Sequence, residues 1–235
     1  MKTPYRLAES TPKTNLSARL ATILSLVGGD CAVLADIGTD HAQLPVAAVQ
    51  LNLVVRAIAC DIAPGPLSQA VTGIYNSKMG DRIQTRLGDG FDPLEVNEAD
   101  VAVIAGIGGL NIVNILERGS AKAKSANRLI LQPQSDTTKL RKHLHRLGYF
   151  ISDERLAREG DRFYVIFVVT PSSGTPSLWS DKEYSLGKYL SNEPDWKDYL
   201  STEIKRLENY IASGANGEKR DEYEQRLVWL NEELK

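Results

Sequence analysis

From residue 32 onward the chain alternates short runs rich in valine, isoleucine and alanine with segments whose apolar positions recur every three or four residues. Continuous apolar runs suit strands buried on both faces, and the three-to-four spacing suits helices laid against them. The pattern therefore predicts a parallel sheet wrapped by helices. Strands are predicted at Ala32–Ile37, Arg56–Asp61, Arg82–Leu87, Val101–Ala105 and Arg128–Gln132, with helices at about Gln43–Asn52, Pro66–Ser77, Asn111–Glu117 and Thr137–Leu147. An earlier helix at about Ser17–Leu26 has Ser17 as a candidate N-cap. The alternation then changes. Tyr149–Ala157 and Arg162–Thr170 are separated by a Glu159-Gly160-Asp161 turn, so they are expected to pair as an antiparallel hairpin that finishes the sheet.

Pro171-Ser-Ser-Gly-Thr-Pro176 punctuates the chain and predicts a division into residues 1–171 and 172–235. In the second part a helix is expected at about Asp181–Leu190. Beyond it, Leu200, Ile204, Leu207 and Ile211, then Tyr223, Leu227, Leu230 and Leu234, form two heptad-like stripes on either side of Ser213–Gly217. Such stripes predict an antiparallel coiled-coil hairpin whose seam closes on itself, which makes a monomer the default expectation.

Composition narrows the class. With 235 residues, a quarter of them charged, the chain can bury a core without disulfides or a structural metal. Cys31 and Cys60 form no C-x-x-C pair and lie in apolar runs, which predicts reduced core thiols. No apolar stretch has the length of a membrane helix, and the residues around Pro4, Arg6, Glu9 and Pro12 lack a signal-peptide core, so a cytoplasmic protein is expected. The net charge of −2 hides an asymmetry. Residues 117–146 hold eight Lys and Arg against two acids, with His143 and His145 beside them, whereas the last 64 residues are acidic. A basic run of this kind is either a set of solvated helix faces or a polyanion-binding surface.

The chemistry gathers where strands end. The first strand runs into Asp36-Ile-Gly-Thr-Asp-His41, a strand-glycine-helix turn at the rim where open α/β sheets bind ligands. Only Gly38 of a G-x-G-x-x-G pattern is present, and Asp40 would repel a diphosphate, which argues against a dinucleotide. Asp61 closes the second strand and can accept from both ribose hydroxyls. Asp89, within Gly88-Asp89-Gly90, can accept from an adenine amino group. Ala105-Gly-Ile-Gly-Gly109 would let a flat substrate lie near the backbone. Together these suit a nucleoside carrying positive charge, such as the sulfonium S-adenosylmethionine. Each residue also has a plainer role open to it: Asp61 and Asp89 as turn acceptors, His41 as a loop hydrogen-bonder, Gly106–Gly109 as a close helix–strand contact.

These residues, with Leu44-Pro45, Leu131-Gln-Pro133 and Leu16-Ser-Ala-Arg-Leu20, closely resemble the bacterial tRNA adenine-N1 methyltransferases that act on position 22 of the D-arm. The D-I-G-T-D-H-x-x-L-P block is the specific part, and the likeness runs along nearly the whole chain. It implies an α/β fold with the class I methyltransferase, Rossmann-like seven-stranded sheet in the order 3-2-1-4-5-7-6, followed by the helical coiled-coil domain. It implies S-adenosylmethionine as donor and tRNA as acceptor, with no metal. By position, Asp36, Gly38, Asp61, Ile62, Asp89, Gly90 and Ala105 would line the cofactor. Asp40, His41, Gly106, Gly108 and Gly109 would face the target base. Against the general motif D/E-x-G-x-G-x-G, Asp40 and Ala42 are departures.

Adenine N1 carries a lone pair in the neutral base, so methyl transfer to it needs alignment and exclusion of water rather than a prior deprotonation. Asp40 is the candidate for stabilising the cationic ring, and His41 the weaker candidate for a proton shuttle or base contact. An Asn/Asp-Pro-Pro-aromatic loop, suited to amino-group methylation, is absent after the fourth strand, and neither cysteine reaches that loop as pyrimidine C5 chemistry requires. Lys139, Arg141 and Lys142, with Arg19 and Lys13, are the candidate phosphate contacts. The competing readings are a methyltransferase for another RNA position or a small molecule, a non-catalytic RNA-binding module, and an NAD-linked oxidoreductase.

Overall fold

The structure, a computed structural model, describes residues 16–172, 174, 177–214 and 216–235. Lys13 and the motif residues Ser173, Thr175, Pro176 and Ala215 lie outside the described residues.

Five parallel strands, β1 (Val33–Ile37), β2 (Arg56–Asp61), β3 (Ile83–Leu87), β4 (Val101–Ile107) and β5 (Arg128–Pro133), are joined by two longer antiparallel ones, β6 (Tyr149–Glu159) and β7 (Arg162–Pro171). The sheet order is β3-β2-β1-β4-β5-β7-β6, the order the resemblance implies. Register brings Ile37 beside Cys60 on one side and Ile104 on the other, and Asp61 opposite Leu87. The loops that follow β1 to β4 therefore leave the sheet along one rim.

Strand alternation divides the core into two layers. Leu34, Ala57, Val103 and Ile130 face α1 (Ala18–Ser25), α2 (Gln43–Gln50) and α3 (Pro64–Asn76). Ala35, Ile58, Ile104 and Leu131 face α4 (Gly109–Arg118), α5 (Ser120–Ser125) and α6 (Thr137–Arg146). Each fully buried Leu or Ile contributes on the order of 1.5–3 kcal/mol of transfer free energy. Cys31 and Cys60 belong to these layers, and burial pushes both thiols up to about 12, so they stay protonated.

The C-terminal elements are α7 (Asp181–Leu186), a 3-10 turn at Leu190–Asn192, α8 (Trp196–Ala212) and α9 (Gly217–Leu234). α7 carries a full capping box between Ser180 and Glu183, and ends four residues before the expected Leu190, at Gly187. α8 and α9 form the expected hairpin, with Leu200, Ile204, Leu207 and Leu230 buried in its seam and Tyr210 stacked on Tyr223. Its buried side chains join the same cluster as the α4/α6 face of the sheet, through Trp179, Tyr184, Trp196 and Tyr199.

Candidate active site at the carboxyl rim of the sheet

The turn after β1 is built on left-handed backbone. Gly38, Asp40 and Ala42 have φ of 78°, 51° and 53°. The three positions that are glycine in the general methyltransferase motif are thus all left-handed here, although only the first is glycine. Non-glycine residues in that region cost on the order of 1 kcal/mol each, which surrounding contacts must offset. Gly38 and Thr39 both donate backbone N–H to Cys60 O at 2.9 Å, and Asp40 N donates to Asp61 Oδ2 at 3.4 Å. The loop is therefore tied to the end of β2.

Asp36 is buried, and Thr39 Oγ1 donates to its Oδ2 at 2.7 Å. Burial raises its pKa to about 6, against the Thr39 hydrogen bond, with the neighbouring Asp61 adding to the rise and Arg19 opposing it. An acid that holds its proton more tightly when folded stabilises the fold at low pH, and this is lost as pH rises between its unfolded value near 4 and about 6. Asp36→Asn is accordingly expected to gain stability relative to the parent chain over that window, on the order of 3 kcal/mol by neutral pH. Urea unfolding of both proteins at pH 4, 5, 6 and 7 measures it, and a pH-independent difference would contradict it.

Asp61 Oδ1 accepts from Ala63 N at 2.9 Å, so this carboxylate does serve its own turn; it is buried yet lines a cavity. Asp89 is clamped by Arg118, with Nη1 and Nη2 at 2.6 and 2.9 Å from its two oxygens, and the guanidinium holds its carboxyl below the usual range. Arg118 was legible only as one charge in a basic run.

Two cavities open on this rim. One, of about 580 Å³, is walled by Gly38, Ile62, Asp89, Gly90, Asn111 and Arg118 among others. The other, of about 480 Å³, is walled by Arg19, Asp36, Asp40, His41, Asp61 and Gly106 among others. They share Gly38, Ile62 and Ile107, and so form one continuous depression of the size small-molecule sites occupy. Ala105 also lines the second. His41 Nε2 lies 3.6 Å from Asp40 Oδ2, and both side chains are exposed at its mouth.

The loop after β4 is less uniform than its glycines suggest. Gly106, with φ of 81°, forms a bulge in the β4–β5 ladder and opens onto the second cavity. Gly109 faces away: a Cβ there would stand 2.6 Å from Ser135 O, so glycine lets α4 approach the β5–α6 turn. Gly108 is similarly backed by Ser135, and neither residue is among those lining the two cavities.

The basic run is dispersed. Arg141, expected on phosphate, is 1% exposed and paired with Glu154 in the interior, a correction that follows from its place on the inner face of α6. Lys139 pairs with Asp136 and Lys142 with Asp181, both at the surface. Arg146 pairs with Glu117 and Lys122 donates to Asp92 O.

A family model described as tRNA (adenine(22)-N(1))-methyltransferase matches residues 34–233, which span the whole rim and the C-terminal hairpin. The chain belongs to this family. A tRNA (adenine(22)-N(1))-methyltransferase of Bacillus subtilis is 39% identical over 153 residues, 65% of this chain and 64% of that relative's length. Streptococcus pneumoniae Sp1610 in complex with S-adenosyl-L-methionine superposes with a TM-score of 0.83 at 31% identity, covering 94% of this chain and all of that one. M. capricolum TrmK in complex with S-adenosyl-homocysteine, the natural cofactor product, gives 0.78 at 26% identity, covering 93% of this chain and 97% of that one. No helix among the described residues is long and apolar enough to cross a membrane.

Proposed function

We propose that this chain transfers a methyl group from S-adenosylmethionine to N1 of adenine 22 in the D-arm of tRNA. The observation that carries this reading is the row of carboxylates at consecutive strand tips, Asp36, Asp61 and Asp89, around two joined cavities. Anionic walls suit a cationic nucleoside donor and repel a diphosphate. Asp36 fits the group in particular: a buried carboxyl whose hydrogen-bond partner among the described residues is only the Thr39 hydroxyl is ready for a cation.

Asp89, held by Arg118, and Gly90 would take the adenine side, with Ile62 against the ring. Asp61 would take the ribose hydroxyls, and Asp36, Gly38 and Ala105 the methionine side. When bound, the donor supplies an electrophilic methyl on sulfur. The chain's own task is to align adenine N1 with that methyl and exclude water. Asp40, at the mouth of the cavity, stabilises the positive charge that develops on the ring, and His41 beside it contacts the base. Of the loop after β4, Gly106 is the member placed to face the base.

Adenine N1 lies on the pairing edge, so the target must be extruded, at a cost of a few kcal/mol that contacts elsewhere offset. A groove of about 810 Å³ between the C-terminal hairpin and the β5–α6 turn is lined by Lys139, Arg206, Lys219 and Tyr210, and Gln134 lines both it and the cavity of Asp40. This groove is the path assigned to the tRNA arm, with residues 172–235 shaping its far wall. Lys139→Ala combined with Lys219→Ala is expected to flatten the slope of log affinity against log salt by roughly one to two units; an unaltered slope moves the footprint elsewhere. A monomer working in the cytoplasm completes the reading.

Labelled donor and unmodified tRNA incubated with the full chain test the assignment directly. Mass-spectrometric mapping should find the methyl on N1 of adenine 22, and a transcript with that adenine replaced should take none. Methylation elsewhere, or retained labelling of the altered transcript, would overturn it.

A further inference from the structure

Two amide side chains line the cavity of Asp40 and His41, those of Gln43 and Gln134, and Gln134 alone among the described residues also lines the groove assigned to the tRNA arm. It follows β5 directly, and its backbone is fixed on both sides. Gln134 N donates to Ile107 O at 2.8 Å, and the neighbouring Ser135 O accepts from Gly109 N at 3.1 Å. The loop beside its side chain is fixed too. The buried Gln132 accepts at Oε1 from Gly106 N at 3.2 Å and from Arg19 Nη1 at 3.1 Å, which holds the β4 bulge against β5. A Cβ at Gly106 would stand 3.8 Å from Gln134 Nε2, so the amide lies next to the bulge that opens onto the cavity. That amide is unpaired among the described residues, whereas Ser135 Oγ, next along the turn, donates to Asp136 Oδ2 at 2.8 Å.

We infer that Gln134 reads the target base by holding adenine along its Hoogsteen edge, an assignment that rests on the function proposed above. A base drawn from an arm in the groove enters the cavity past this residue. A primary amide presents one acceptor and one donor side by side. Adenine offers the complementary pair on that edge, N6–H toward the carbonyl oxygen and N7 toward the amide N–H. Ring atom N1 lies on the other side of N6, so this contact leaves its lone pair free for the methyl, whereas a contact on the pairing edge would cover it. Guanine presents two acceptors, O6 and N7, along the same edge and satisfies only one end of the amide. Recognition by Gln134 therefore selects adenine and keeps the reacting atom open.

The test compares kcat/KM on two tRNAs, one with adenine and one with 7-deazaadenine at position 22, the second made by ligating a synthetic half. The full chain is assayed as parent, Gln134→Leu, Gln134→Glu and Gln43→Ala. 7-Deazaadenine keeps N1 and N6 but carries C–H in place of N7. Any change it brings in ring reactivity or tRNA folding cancels when the preference for adenine is compared between proteins. Gln134→Leu should lower kcat/KM on the adenine tRNA by about tenfold to a hundredfold, the discrimination carried by one bidentate amide contact. Its preference for adenine over 7-deazaadenine should be about five- to tenfold smaller than the parent's. Gln134→Glu, which has no proton to give to N7, should show a preference at least as small. Gln43→Ala should keep the parental preference. Donor affinity and the urea midpoint should stay at parental values in both Gln134 variants, which separates base recognition from a structural role. Equal preferences in the parent and Gln134→Leu, with adenine 22 methylated by both, would overturn this inference alone. So would a loss of donor affinity that matches the loss of activity. A parent chain that leaves adenine 22 unmethylated would overturn the proposed function, and this inference with it.

Discussion

Removing the Arg141 side chain is expected to cost about 3–5 kcal/mol of unfolding free energy, the range for breaking a buried ion pair by deleting one partner. Arg141 Nε stands 2.7 Å from Glu154 Oε1, its Nη1 donates to Tyr184 O at 3.0 Å, and the guanidinium lies 5.1 Å over the Phe167 ring. Glu154 is fully buried, and its second oxygen accepts from Lys188 N at 2.8 Å and Tyr189 N at 3.3 Å. In Arg141→Ala the carboxylate would remain in the interior without a counter-charge, beside a Tyr184 carbonyl that has lost its donor. The pair joins α6 and β6 to the chain just after α7, so its loss loosens the attachment of the C-terminal hairpin to the sheet. Arg141→Met with Glu154→Leu should recover part of the loss, because the uncompensated charge is gone, but not all of it, because the backbone groups of Tyr184, Lys188 and Tyr189 lose their partners. Urea unfolding of the three proteins measures these differences. A single-variant loss below about 1 kcal/mol would contradict the argument, as would a double variant less stable than Arg141→Ala.

The same residue shows where sequence reading reaches its limit. Strand and helix positions follow from local periodicity, and β1 to β5 lie within a few residues of where the apolar runs place them. The rim acids were legible too, because a carboxylate at the end of each successive strand is a pattern in one dimension. What each base touches is not. Arg141 and Lys142 are adjacent in a basic run, yet a helix turns neighbouring side chains by about 100°, so one enters the core and the other reaches solvent. The acid that receives Arg141 is thirteen residues away, on a strand whose bulge between Ile151 and Asp153 resets its register. A bulge of that kind leaves no mark in the hydrophobic pattern. Gln132 was hidden for a related reason: inside L-Q-P it reads as a break in a strand. Only the β4 bulge at Gly106 brings a backbone N–H, and α1 a guanidinium, to its one amide oxygen.

The catalytic proposal turns on charge at Asp40, and Asp40→Asn isolates it. Asparagine accepts left-handed backbone as readily as aspartate, so the φ of 51° and the Asp40 N–H donated to Asp61 survive the exchange. Steric change is minimal, and donor affinity should stay within about threefold. The single-turnover methylation rate should fall roughly a hundredfold, the scale found when one electrostatic stabiliser of a transition state is removed. In the free protein the Asp40 side chain is 66% exposed, where water weakens any charge it opposes. In the proposed mechanism, docking of the extruded base at the cavity mouth would displace that water and strengthen the carboxylate's attraction for the ring as it becomes cationic. Asp40→Gly provides the complementary comparison, since it removes the carboxylate while relieving backbone strain: it should be at least as stable as the parent and as slow as Asp40→Asn. His41→Ala, whose imidazole lies 3.6 Å from that carboxylate, should lose no more than about tenfold. Rapid-quench methylation under saturating donor separates these cases. Parent-like rates in both Asp40 variants would assign the loop to shaping the cavity and leave the developing charge to another group.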